Sequence, residues 1–79
     1  MSEKLYQVIS RVMEIPIDNI TDESSPENIE NWDSYNGLLL VDELESEFKV
    51  KFSVEETYDV RSVADIKRHL TNHGVKLDD

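Results

Sequence analysis

Cysteine is absent from the 79 residues, and glycine and proline occur only twice each. Without a thiol there is no disulfide framework, no thiolate nucleophile and no cysteine-based zinc site. Any sulfur chemistry therefore has to arrive on an attached group. With glycine only at Gly37 and Gly74, a glycine-rich phosphate loop cannot form. Apolar runs are short of membrane-spanning length, and Met1-Ser2-Glu3-Lys4 lacks the apolar core of a signal peptide; the expected location is cytoplasmic. The two histidines, His69 and His73, stand four apart near a helix C-terminus and read as surface residues. Leu70 follows His69 where a zincin helix needs a glutamate. No EF-hand spacing of acids exists, so no metal is expected. Nothing in the sequence brings either histidine to a serine, and the bare chain is not expected to be an enzyme.

Positive charge is missing from one long stretch. Between Val12 and Phe48 there are eleven acids and no Lys or Arg, whereas the rest of the chain holds seven acids and eight bases, for a net charge of −10. Such a field repels nucleic acid and anionic membranes and draws in basic protein surfaces. The length allows one domain with a small core.

Hydrophobic periodicity divides the chain into helices. Leu5, Val8, Ile9 and Val12 put one apolar face on a helix over 2–14, with Ser2 as its cap and Pro16 as its stop. Residues 16–33 form a long polar connection; Ile17, Ile20, Ile29 and Trp32 anchor it as an ordered loop. A second helix runs over 34–47. Leu38, Val41, Leu44 and Phe48 mark one apolar stripe, Leu40 widens it, and Leu39 falls off it towards the side flanking Ser34. Gly37 inside this helix costs roughly 1 kcal/mol relative to alanine, which points to a close approach by another backbone or a partner near Ser34, or to a tolerated accident. Lys49 to Phe52 alternates like a strand but has no partner strand, so it reads as an extended linker. Ser53-Val54-Glu55-Glu56 is a capping box opening a short third helix, and Ser62-Val63-Ala64-Asp65 resembles the same device opening a fourth, ended by Gly74. The expected core is Leu5, Val8, Ile9, Val12, Leu40, Val41, Leu44, Phe48, Phe52, Val63, Ile66 and Leu70.

The most informative junction is Asp33-Ser34, where the polar loop meets the second helix. Asp33 reads as the N-cap. Ser34 then falls at the first helical position, its hydroxyl beside the positive end of the helix dipole, where a phosphate ester is favoured. Taken alone, an Asp-Ser pair before a helix is no more than a cap.

Asp33-Ser34-Tyr35 opening a helix with Leu38, Val41 and Leu44, then Glu45-Ser46-Glu47-Phe48 and a short extended piece to Phe52, resembles an acyl carrier protein over essentially the whole chain. The resemblance implies an all-α, four-helix bundle with a short third helix, an acyl carrier domain over 1–74 and a frayed tail over 75–79. It implies that Ser34, flanked by Asp33 and Tyr35, receives 4′-phosphopantetheine from coenzyme A through a phosphopantetheinyl transferase. The prosthetic thiol would hold acyl groups as thioesters for acyl-loading, acyl-transferring or condensing enzymes with basic docking surfaces. The expected partner face is Tyr35, Leu39, Glu43, Glu45 and Glu47. The expected acyl pocket is Leu40, Leu44, Phe52, Val60 and Ile66, and the expected state is a monomer.

Asn31-Trp32 precedes the pair where the family commonly has a glycine, Tyr35 follows it in place of leucine, and Leu38-Leu39-Leu40 stands where fatty-acid carriers often place an acid. A fatty-acid-like and a specialised pathway both stay open. So do an aminoacyl or peptidyl carrier and an acidic interaction module without a prosthetic group.

Overall fold

A computed structural model describes residues 3–77. It contains four α-helices: α1 (Glu3–Met13), α2 (Ser34–Phe48), α3 (Val54–Tyr58) and α4 (Val63–Asn72), with a single 3₁₀ turn at Ile17–Asn19 in the long loop. No strand occurs among the described residues. The all-helical bundle expected from the sequence is the observed architecture. The cap assigned to Ser2 and the last two residues of the tail lie outside the described residues.

The core forms where the apolar faces of α1, α2 and α4 meet: Leu5, Ile9, Leu40, Leu44, Val63, Ile66 and Leu70 are completely buried. Two expected core members differ. On α1 the i, i+4, i+8 ladder Leu5–Ile9–Met13 is buried, and Val12 sits at the edge. Phe48 is half-buried, with the Lys4 ammonium 5.3 Å from its ring centroid. Phe52 is buried and Val50 half-buried, as an inward-packing linker requires. Beyond α4, Val75 and Leu77 pack partly buried against the core.

The three longer helices end in the same way. Glu14 and Lys49 adopt left-handed backbone (φ 58° each), as does Gly74 (φ 86°). The next residue's N–H then reaches back to a carbonyl five positions earlier: Ile15 to Ser10, Val50 to Glu45 and Val75 to Leu70. This is the Schellman arrangement. It terminates α1 at Met13, ahead of the expected proline stop.

The loop between α1 and α2 is fixed at both flanks. Ile20, Ile29 and Trp32 are buried and Ile17 is half-buried. The Ser24 and Asp22 carbonyls accept from the N–H groups of Val63 and Ala64 at 3.0 Å each, so the loop satisfies the free amides that open α4. Ser62 also caps α4, accepting from the Asp65 N–H. The reciprocal arm of the expected box is displaced, because the shorter aspartate side chain accepts from the Arg61 N–H. In the box at α3 the longer Glu56 completes both arms.

Asp22 joins three elements. It accepts a hydrogen bond from the Tyr6 hydroxyl of α1 and pairs with the Lys67 ammonium of α4 at 2.9 Å. The Tyr6 hydroxyl, reinforced by Lys67, holds the Asp22 carboxyl below the usual carboxylate range, while burial and the adjacent carboxylate push the Tyr6 phenol up. The folded-state pKa of Asp22 lies below its unfolded value. The ionised carboxylate therefore contributes stability above the ordinary aspartate range, and that contribution is lost as pH falls through the folded value. Asp22→Asn is expected to melt below the parent near pH 7, with the gap closing towards about pH 3. Melts followed by circular dichroism across that range check this; curves that stay parallel to the acid end would show that the charge on Asp22 contributes nothing.

Candidate functional site

The approach to α2 is set by two asparagines. The Asn31 side-chain amide donates to the Met13 carbonyl at 2.7 Å, satisfying a free carbonyl at the end of α1. The Asn36 amide in turn donates to the Asn31 carbonyl at 2.7 Å. Between them Trp32 is buried and Asp33 takes extended backbone (φ −110°, ψ −172°). Asp33 Oδ1 accepts the Asn36 N–H at 2.8 Å, as an N-cap does.

Ser34 is the first residue of α2 and is exposed. Its hydroxyl makes no hydrogen bond within the described residues, and neither do the backbone N–H groups of Ser34 and Tyr35. Because the neighbouring aspartate does the capping, the serine oxygen stays accessible at the positive end of a 15-residue helix. The site thus offers an unengaged nucleophilic oxygen, two unengaged N–H donors and a favourable field for an anionic ester.

Beside the hydroxyl lies a cleft of about 510 Å³, walled by Trp32, Gly37 and Leu38 on one side and Thr57, Tyr58 and Val60 on the other. Leu38, which spacing places on the apolar stripe, is 60% exposed. The five-residue α3 leaves the cleft open there, and the residue flanking Ser34 is Leu38, not Leu39. Of the five expected acyl-pocket residues, Val60 lines this cleft; Leu40, Leu44 and Ile66 are fully buried and Phe52 is buried in the core. Gly37 is approached by the Trp32 indole and not by a backbone: a Cβ placed on it would lie 3.6 Å from Trp32 Nε1.

The glutamates of the expected partner face are occupied within the chain. Glu43 accepts from Arg11 at 2.8 Å, Glu47 lies 4.0 Å from the Lys4 ammonium, and Glu45 accepts the Phe52 N–H at 2.8 Å. Tyr35 and Leu39 are exposed.

Of the two histidines expected at the surface, His69 is buried, with Nε2 3.0 Å from Asp59, while His73 is exposed, lies 3.0 Å from Glu56 and stacks on Phe52. They tie α3 and its end to α4. No group of side chains suited to a metal ion occurs among the described residues, and no helix there is long and apolar enough to cross a membrane.

A helical bundle with an exposed, unengaged serine at a helix N-terminus has the form of a domain that accepts a covalent group. A family model described as phosphopantetheine attachment site matches residues 3–70, and the chain belongs to that family, the domain of acyl carrier proteins. It is a carrier domain and not a catalytic one, and it bears covalently attached 4′-phosphopantetheine. Such domains work with phosphopantetheinyl transferases and acyl-handling enzymes. No curated relative matches the chain.

Asn36 is the site residue that sequence reasoning did not single out, and Asn31, Trp32 and Leu38 were noted there without the contacts they make at the site. The available signal was two asparagines bracketing the Asp-Ser pair, since each amide can bind backbone in two directions. At Gly37, the 3.6 Å separation is ordinary contact distance, so a methyl group fits and helix propensity decides the outcome. Gly37→Ala is expected to raise the unfolding free energy by about 0.5–1 kcal/mol. A lower denaturant midpoint would mean that Trp32 cannot accept the methyl group.

Proposed function

We propose that Ser34 carries the 4′-phosphopantetheine and that the chain is an acyl carrier protein of fatty-acid-like or specialised acyl biosynthesis. The observation that carries this reading is the division of labour at the start of α2, where Asp33 caps the helix and leaves the Ser34 hydroxyl exposed and unengaged. In the modification, Ser34 Oγ forms a bond to the pantetheine-side phosphorus of coenzyme A. The pyrophosphate P–O bond breaks, adenosine 3′,5′-bisphosphate leaves, and the serine proton passes to a base of the transferase. The helix dipole and the free N–H groups of Ser34 and Tyr35 favour the resulting phosphodiester. Once bound, the group supplies the thiol that the chain lacks and on which cargo is held as a thioester.

The other described serines are worse acceptors. Ser10 donates to the Ile15 carbonyl, Ser24 is buried and accepts from Thr21, and Ser25 accepts from Glu27. Ser53 and Ser62 cap helices. Ser46 is exposed but lies in the last turn of α2, where the dipole disfavours a phosphate.

An acyl cargo is supported by the apolar cleft beside Ser34. A chain longer than that cleft is housed by parting Val60 from the core side chains Leu40, Leu44, Phe52 and Ile66. The protein works as a cytoplasmic monomer and meets its enzymes one at a time.

Intact mass after incubation with coenzyme A and a broad-specificity transferase tests the reading. The parent should gain one phosphopantetheinyl group, and Ser34→Ala should gain none while keeping its helicity, because Asp33 still caps α2. Added mass on Ser34→Ala, or none on the parent with several competent transferases, would sink the proposal.

A further inference from the structure

The outward side of α2 changes character along its length. At 100° per residue, Tyr35, Leu39 and Asp42 share the outermost line, with Leu38 between that line and Ser34. Glu43 and Glu47 fall on the opposite flank. The contacts agree with this placement. Ser34 and Leu38 border the cleft with Tyr58 of α3, whereas Glu43 and Glu47 turn to Arg11 and Lys4 of α1. An enzyme seated over the Ser34 hydroxyl therefore faces the first flank and not the second.

That first flank is apolar over its first two turns; Glu45, which returns to it seven residues after Leu38, is engaged by the Phe52 N–H. Residues 34–41 carry no charge, and Tyr35 is 71%, Leu38 60%, Leu39 38% and Tyr58 79% exposed. Exposed apolar residues that cluster, unlike those scattered singly, mark interaction sites. Asp42 follows on the same line; it is exposed and makes no ion pair or hydrogen bond within the described residues. Of the four acids of α2, it alone is unengaged, since Glu43, Glu45 and Glu47 each have a partner inside the chain.

We propose that the transferase that modifies Ser34 recognises the apolar stripe of Tyr35, Leu38 and Leu39, continued by Tyr58, with Asp42 as its electrostatic anchor, in place of the glutamates 43, 45 and 47. This rests on the reading of Ser34 as the attachment point. The occupant follows from the chemistry of the donor. An enzyme that holds coenzyme A must neutralise its phosphates, so basic groups stand next to the acceptor site. Asp33 beside the cleft and Asp42 at the far end of the stripe are placed to meet them. Between those two acids the partner needs an apolar depression. The result is the usual division of an interface into a dry centre and a charged rim.

The test compares initial rates of mass gain with coenzyme A and the transferase, using the whole chain, at about 50 mM and about 500 mM salt, which differ severalfold in screening length. The exposed substitutions Tyr35→Ser and Leu39→Ser, combined, should lower kcat/KM about tenfold or more at both salt levels. Asp42→Asn should lower it a few-fold at low salt and hardly at all at high salt. The pair Glu43→Gln and Glu47→Gln should have a smaller effect than the apolar pair. Melting temperatures close to that of the parent, together with complete modification at long times, keep folding out of the comparison. A glutamate pair that loses as much as or more than the apolar pair overturns the proposal, as does an apolar pair that reacts at the parental rate. A parent that gains no mass at all fails earlier, on the assignment of Ser34 itself, and so is distinguishable from a failure of the stripe.

Discussion

Much of this molecule depends on a loop without regular hydrogen bonding being held as firmly as a helix. Residues 14–33 end on the turn that presents Ser34, so any looseness there would be passed to the hydroxyl. Order comes from buried Ile20, Ile29 and Trp32, and from backbone contacts that serve two elements at once. The carbonyls of Asp22 and Ser24 complete the start of α4, and the Asn31 amide completes the end of α1. Buried or terminal backbone groups demand partners. Here the demand of two helix ends is what pins the loop.

The same economy explains the site. A helix N-terminus needs a cap, and a phosphate ester placed there needs free donors. One residue cannot serve both purposes. The Asp33-Ser34 order separates them: the carboxylate takes the Asn36 N–H, and the N–H groups of Ser34 and Tyr35 remain unengaged. Ser53 and Ser62 show the contrasting case, in which the serine itself is the cap and its oxygen is already engaged.

Periodicity and capping rules made the helices, the capping box at Ser53 and the exposed position of Ser34 legible in the sequence, because these are set by residues a few positions apart. What was not legible depends on the packing of distant segments. Val12 and Met13 both fit a helical face with Leu5, Val8 and Ile9, and only the seating of α1 against its neighbours buries Met13 and leaves Val12 at the edge. Leu38 belongs to an apolar stripe by spacing, yet α3 is too short to cover it, and a cleft results. The glutamates of α2 read as a free acidic face, but Arg11, Lys4 and the Phe52 N–H lie far enough away in sequence that no local rule pairs them. His69 looked solvent-exposed for the same reason.

Helix α3 contributes no buried residue to the core. It is attached through its polar side, by Glu56 to His73 and, just beyond its end, by Asp59 to His69 and Arg68, while Val54 and Tyr58 face solvent. In the language of native-state amide exchange, a helix with so few buried contacts is expected to open at lower free energy than α1, α2 and α4. Detachment of that wall of the cleft would break the Glu56–His73 and Asp59–Arg68 contacts and uncover the buried His69, and protection factors for residues 54–58 well below those of α2 would register it. On the proposed reading, the attached group sits on the firmly held side of the cleft and a cargo of variable size meets the side held by few contacts.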